Sequence, residues 1–340
     1  MISFSCDYLE GAHPRILERL FLSNMEQHPG YGQDRHCEHA RQLISKACGR
    51  DDLDIHFMVG GTQTNMTVIS SVLRPYQGVV CAQTAHINVH ETGAIEHSGH
   101  KVMTINTADG LLSAEQVRDK LASHYADPNI EHTVQPGMVY LSMPSELGTI
   151  YTKQQLTDIA QVCKEYSVPL YIDGARLGYG LCSDLSDMTL ADIARIADIF
   201  YIGGTKQGAL MGEALVIANK AYSKDFRYNI KQNGGLLAKG RLLGLQFEAL
   251  FEDELYWQLS VHANHEAKRI HDALVSKGYE LYTDAHTNQI LVYMSADKLE
   301  ALSSEFGLDF WWREDDRVLI RICTSWATKS ENTDRLIAAL

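Results

Sequence analysis

Two short apolar runs constrain this chain more than anything else in it. One is Val168-Pro169-Leu170-Tyr171-Ile172-Asp173-Gly174-Ala175-Arg176. The other is Ile199-Phe200-Tyr201-Ile202-Gly203-Gly204-Thr205-Lys206-Gln207-Gly208. Each stops at small residues and then presents a charged side chain, Asp173 in the first and Lys206 in the second. Apolar runs of this length, set between helical patterns, read as strands buried on both faces of a parallel α/β sheet. Five further runs read the same way: Ile55–Val59, Val79–Ala82, Lys101–Ile105, Met138–Ser142 and Ala214–Ala218. Helical stretches separate several of them, notably Ser113–His124 and Thr152–Ser167. The alternation predicts a seven-stranded, mainly parallel sheet with helices on both faces.

A chain of 340 residues exceeds one ordinary core. The pattern divides it into an N-terminal arm (1–20), a large domain (21–235) and a smaller α+β C-terminal domain (236–340). The last begins with a long helical region, Leu236–Gly278, followed by strand runs at Gln289–Met294, Phe310–Arg313 and Val318–Cys323. Phe310-Trp311-Trp312 reads as core or interface of this smaller domain, and Glu252-Asp253-Glu254 as a solvated helix start. No stretch is long and apolar enough for a membrane span. The net charge of -13 argues against non-specific nucleic-acid binding. Seven scattered cysteines without a Cys-x-x-Cys pair suit reduced thiols, and no secretory signal opens the chain, so a cytoplasmic location is expected.

Ligands in open α/β sheets bind beyond the carboxyl ends of the strands, which is where Asp173 and Lys206 leave theirs. Pyridoxal phosphate requires that pair. A lysine amine holds it as a Schiff base, and a carboxylate keeps the pyridine nitrogen protonated so that the ring accepts electrons. Gly60-Gly61-Thr62 supplies a third element between a strand and a helix. Free backbone N–H groups and the positive end of a helix dipole there would receive a phosphate. Taken alone, the segment also reads as a plain turn capped by Thr62, and Asp173 or Lys206 alone as ordinary loop polarity. Their order along the chain favours the cofactor. A metal hydrolase is a formal rival, because His86 and His90 are four apart and His36 and His39 three apart. With 15 histidines and no His-Glu-x-x-His order, chance spacing explains these pairs, and no metal is expected.

Several further pieces carry a family resemblance. They are Tyr31-Gly32-Gln33-Asp34, Gly61-Thr62-Gln63-Thr64-Asn65, Ala85-His86-Ile87, Glu91-Thr92-Gly93-Ala94, Asp173-Gly174-Ala175-Arg176-Leu177, Thr205-Lys206 and Arg321-Ile322-Cys323-Thr324-Ser325. In this order, over nearly the whole chain, they resemble the threonine aldolase and β-eliminating lyase family of fold type I pyridoxal-phosphate enzymes. The low-specificity L-threonine aldolase-like and phenylserine aldolase-like members are the most similar. The resemblance implies retro-aldol cleavage of β-hydroxy-α-amino acids to glycine and an aldehyde. Another lyase reaction, such as β-elimination, or transamination is the alternative on the same fold.

By the same resemblance, Lys206 is the Schiff-base lysine, Asp173 the partner of the pyridine nitrogen, and Gly61 and Thr62 the phosphate cradle, with Thr205 and Arg176 as further cofactor contacts. His86 matches the imidazole that stacks on the ring. Arg176 and Arg321 match the arginines that clamp the substrate carboxylate, a task suited to a planar guanidinium, with Ser5 of the arm as a third contact. Lys239 and Lys231 would reach a cofactor phosphate across a subunit interface, which implies a homodimer or homotetramer with shared sites. Two positions depart from the family pattern. Ser145-Glu146 stands where many members carry a second histidine, and Gly203 stands where Ser is common. His86, Glu146 or a water between them is left as the acid–base group.

Overall fold

The computed structural model describes residues 1–340. Its strands are β1 (Ile2–Ser3), β2 (Asp54–Met58), β3 (Gln77–Ala82), β4 (Lys101–Ile105), β5 (Gln135–Ser142), β6 (Leu170–Asp173), β7 (Ile199–Gly203), β8 (Glu213–Ile217), β9 (Gln289–Ser295), β10 (Phe306–Gly307), β11 (Asp309–Glu314) and β12 (Arg317–Cys323). Seven of them form one sheet in the order β2-β8-β7-β6-β5-β3-β4. These are the seven expected runs, with ends shifted by at most three residues and Lys101–Ile105 unshifted. Only β8 runs antiparallel to its neighbours. The other pairings, β4 to β3, β3 to β5, β5 to β6 and β6 to β7, are parallel.

Successive side chains of a strand point to opposite faces, and both faces here are covered. Leu170 and Ile172, with Phe200, Ile202, Val139 and Leu141, join the core on one side. Tyr171, with Ile199, Tyr201, Met138 and Tyr140, joins the core on the other. That is why the strands read as unbroken apolar runs rather than alternating ones. The helices start where local chemistry predicts. Ser113 and Thr152 each cap a helix, Ala114–Tyr125 and Lys153–Glu165, with Gln116 and Gln155 closing reciprocal capping boxes. Asp34 caps Arg35–Cys48, which ends at Gly49 in the left-handed region, where a residue without Cβ is favoured.

A second sheet, β11-β12-β9, is antiparallel throughout and packs with the later helices. Phe4 and Phe306 share its core with Ile290, Val292 and Ile320. The arm's β1 pairs with β10, and the Cys323 amide donates to the Phe4 carbonyl, so the arm is tied to the smaller unit. The helix Arg241–Phe251 lies instead on the large unit: Leu243, Phe247 and Leu250 are part of its core. Leu255, Tyr256 and Leu259, in the first turns of the helix Leu255–Ser276, also join that core, while Ala267, Ile270 and Leu274 join the smaller one. We propose the domain boundary inside this long helix, later than residue 236. Apolar periodicity marks a helix face as buried but not which body buries it.

Glu252-Asp253-Glu254 forms a single 3-10 turn before that helix, with Asp253 paired to Arg15. Trp311 packs beside Leu147, Leu291 and Leu319, while Phe310 and Trp312 stay half exposed on the edge strand β11.

Candidate active site

The carboxyl ends of β5, β6 and β7 and the start of the helix Gly61–Val72 surround a cavity of about 340 Å³. Eight of the residues singled out in the sequence line it: Gly61, Thr62, His86, Glu146, Asp173, Arg176, Thr205 and Lys206. The volume falls in the range of small-molecule sites.

Asp173 is the last residue of β6 and is buried. Four donors converge on its carboxylate. Tyr140 and Tyr201 donate phenolic O–H groups, Asn65 donates from Nδ2 at 3.0 Å and the Ala175 amide at 3.0 Å. Burial first, then the Asp173 charge, hold both phenols protonated well above the usual tyrosine range, so they act as donors. Asp173 therefore faces the cavity as a braced acceptor for one more N–H. Tyr140 and Tyr201 reach it because strand alternation puts them on the same face of the sheet as Tyr171, whose hydroxyl donates to Asn65 Oδ1 at 2.8 Å.

Lys206 sits on a tight loop after β7. The Gly204 and Thr205 amides both donate to the Gly212 carbonyl at 3.1 Å, and Gly203 N–H donates to Gly174 O at 2.9 Å. A Cβ on Gly203 would lie 2.2 Å from the Ala175 carbonyl oxygen, so the backbones approach too closely for any other residue. This accounts for the glycine where the family often has Ser. Burial, with the charge of Arg176 second, pushes the Lys206 amine down from its ordinary value, toward the neutral nucleophilic form.

The helix Gly61–Val72 has no side-chain cap at its N-terminus. Its first amides are thus open toward the cavity, as an anion cradle requires. Thr62 is one residue inside the helix rather than its cap, which corrects the capping reading.

His86 is bonded through Nδ1 to Glu91 Oε1 at 2.8 Å. A neutral imidazole with Nδ1–H so engaged keeps Nε2 as a bare acceptor. Glu91 is sealed from solvent, and its Oε1 also accepts from Asn65, so the His86 and Asp173 supports are joined. Glu146 Oε1 accepts from the His86 amide at 2.8 Å and from Ser142 Oγ at 2.6 Å. Burial raises the Glu146 carboxyl above the ordinary range despite those two bonds.

Other placements differ from expectation. Arg176 is buried, and one edge of its guanidinium is taken by Asp7, with Nε–Oδ2 at 2.6 Å and Nη2–Oδ1 at 3.0 Å. Burial opposes the Asp7 charge, but Arg176 and Lys206 outweigh it and lower that carboxyl to about 2. Four of the expected residues do not line the cavity, among them Lys231, which stands 4.8 Å from the Tyr31 ring. Ser5 Oγ bonds to Ser3 Oγ at 2.9 Å. Arg321 on β12 is held by Asp309 at 2.7 Å and by Gln289 at 3.1 Å, against the Trp311 ring. Lys239 is exposed on the surface of its own chain. The Arg321 charge nevertheless reaches Tyr8, which lines the cavity. His90 is lowered by burial and then by the charges of His86, Arg321 and Lys206.

Sequence reasoning missed Tyr8, whose ring lies 5.9 Å from Lys206 Nζ, and Glu213. Glu213 accepts from the Gly204 amide and Thr205 Oγ1, and burial pushes it up to about 8. It also missed the supporting roles of Asp7, Asn65, Glu91, Tyr140 and Tyr201. Asn65 and Glu91 lie inside the motifs that carried the resemblance. The tyrosines are visible only as the face-alternating polar tips of core strands.

The residues present fit pyridoxal phosphate. An open helix start, a buried lysine biased toward neutrality and a carboxylate ringed by donors line one cavity. Fold and site together define a fold type I pyridoxal-phosphate enzyme. The β-eliminating lyase family model matches residues 7–297, and the chain belongs to that family. It is 31% identical to a low specificity L-threonine aldolase of Pseudomonas sp., over 89% of this chain and 87% of the relative. A solved structure of Leishmania major threonine aldolase superposes with a TM-score of 0.97 at 43% identity, covering 99% of this chain and 98% of that one. An aspartate aminotransferase of Thermus thermophilus shares the fold at a TM-score of 0.74 and 13% identity, covering 100% of this chain and 90% of that one.

Proposed function

We propose that this enzyme cleaves β-hydroxy-α-amino acids of the threonine, allo-threonine or phenylserine type to glycine and an aldehyde. The observation that carries the reading is the shared cavity of Lys206, Asp173, His86 and Glu146 in a chain so similar to threonine aldolases. Lys206 would hold the cofactor covalently, Asp173 its ring nitrogen, the amides of Gly61 and Thr62 its phosphate, and His86 its ring face. Thr205 and Arg176 would support that binding. Bound pyridoxal phosphate supplies the sink for the electron pair released when Cα–Cβ breaks.

The chain's own residues supply the rest. Arg321, and the edge of Arg176 left free by Asp7, attract the substrate carboxylate, and Ser5 closes in from the arm. Glu146 accepts the β-hydroxyl proton as the aldehyde forms. Its Oε1 is already fixed by Ser142 and the His86 amide, which leaves Oε2 for the substrate. His86 Nε2 supports the same hydroxyl, and Glu91 keeps its Nδ1 protonated. Cα then takes up a proton, and glycine leaves.

The family name also admits elimination. The deciding experiment offers L-threonine, L-allo-threonine, phenylserine and L-serine to the holoenzyme. Glycine with the matching aldehyde supports the proposal, whereas pyruvate and ammonia from serine overturn it in favour of elimination. Lys206→Ala should lose the absorbance band near the visible edge and all turnover. An unchanged yellow protein would refute the lysine. We further propose a homodimer or homotetramer acting in the cytoplasm on a small amino acid. The seven unpaired cysteines suit a reducing compartment.

A further inference from the structure

Away from the cavity, a group of side chains in the smaller unit brings two imidazoles and a carboxylate to one point. His271 lies on the helix Leu255–Ser276, and Asp284 and His286 lie on the connection that leads into β9. Their ligand atoms all lie within 4.8 Å of one another. Both imidazoles turn Nε2 toward the same oxygen, Asp284 Oδ1, at 3.3 Å from His271 and 3.2 Å from His286. Their other nitrogens are also occupied by carboxylates. His286 Nδ1 faces Asp184 Oδ1 at 3.0 Å, and His271 Nδ1 faces Asp272 Oδ1 at 3.2 Å.

A neutral imidazole has one N–H. If each Nδ1–H donates to its carboxylate, both Nε2 lone pairs point at an oxygen lone pair, which is repulsive. Extra protons on the rings, rotation of the exposed Asp284 or one divalent cation between them would relieve that contact. The distances favour the cation. Hydrogen bonds between a charged N–H and a carboxylate run about 2.7–2.9 Å. A tetrahedral zinc with bonds of about 2.0–2.1 Å sets neighbouring ligand atoms about 3.3 Å apart. A carboxylate behind Nδ1 is the usual support of a metal-binding histidine. Both rings also line a cavity of about 180 Å³, room for the water that a fourth position takes.

Two other His–carboxylate groups lack this geometry. His28 meets Glu26 at 2.6 Å, and Arg35 bonds both Glu26 oxygens at 2.8 Å. Glu248 and Glu252, beside His39, are both paired with Arg19. There a basic residue occupies the would-be ligand oxygens, whereas beside His286 the one lysine, Lys268, pairs with the outlying Asp184 at 3.2 Å and not with Asp284.

We propose that His271, Asp284 and His286 bind one divalent transition cation of the zinc class, with water in the remaining position. The sequence reading expected no metal, because Asp284 and His286 meet His271 only through the fold. The cation would brace the connection that continues into Asn288 and Gln289. Asn288 donates to Asp7 at 2.8 Å, and Gln289 accepts from Arg321 at 3.1 Å. The site therefore backs the residues that hold both arginines.

The test is zinc titration by calorimetry on tag-free, chelator-treated holoenzyme. The expected result is one equivalent per chain at roughly micromolar affinity or tighter. His271→Ala and His286→Ala should each weaken it at least tenfold, and His28→Ala should leave it unchanged. No zinc uptake, equal uptake by His286→Ala, or loss in His28→Ala instead would overturn the proposal. Should an alanine variant fail to fold, zinc-edge anomalous scattering from wild-type crystals decides. A peak between the two Nε2 atoms supports the site, and its absence from zinc-soaked crystals refutes it.

Discussion

Glu146 stands where the family resemblance implied a second histidine, and its surroundings make up part of the difference. A free carboxylate near pKa 4.3 is a weak base at neutral pH. Burial raises Glu146, while Ser142 Oγ and the His86 amide keep it from rising further. A base must be ionised to act, so activity should fall as pH drops through its raised pKa. The acid limb of kcat/KM should thus lie above the ordinary carboxylate range. Glu146→Gln should lower kcat by roughly a hundredfold or more, typical of a lost general base, and should remove that limb. His86→Asn should keep it. A pH profile that Glu146→Gln leaves unchanged in shape would transfer the role to His86.

At the scale of the element, the site depends on how closely the ends of β6 and β7 approach. A Cβ on Gly174 would meet the Tyr201 carbonyl at 2.0 Å, and one on Gly203 would meet the Ala175 carbonyl at 2.2 Å. Neither neighbour is a flexible side-chain tip, so the strands themselves must separate. Gly203→Ala should destabilise the fold by about 1–3 kcal/mol, the usual cost of overpacking. It should also weaken cofactor binding, because Asp173 and Lys206 ride on the two strands. Thermal melting and cofactor titration measure the two effects separately. A variant with native values in both would show that the contact is slack. The elements themselves were legible in the chain because both sheet faces are buried, which leaves long apolar runs with sharp glycine ends. The four donors to Asp173 were not, since Tyr140 and Tyr201 resemble core aromatics until the fold aligns them with Asn65.

At the scale of the molecule, one chain leaves features that a single copy does not use. Leu17, Phe21 and Met25 follow one another at helical spacing from the helix Pro14–Leu22 onward, and Phe21 and Met25 are 81% and 87% exposed. Tyr31 and Tyr228, with Lys231 set 4.8 Å from the Tyr31 ring, form a second open aromatic face. Exposed apolar surface of this kind is available for association. Lys239 has no task in its own cavity, and its neighbour Ala238 packs against Gly30 and Tyr31. Subunit placement was beyond the sequence, because an exposed lysine and an exposed tyrosine read as ordinary surface until a partner is considered. If two copies join through these faces, light scattering should give a mass of at least 2 × 38.1 kDa. Phe21→Glu with Met25→Glu should lower that mass. Lys239→Ala should keep the assembly but weaken cofactor binding roughly tenfold or more, as expected for a lost charge-assisted phosphate contact. The joint outcome separates the two roles. A monomer that holds its cofactor at full affinity would exclude a shared site, and an oligomer indifferent to Lys239 would leave the phosphate to the Gly61–Thr62 cradle alone.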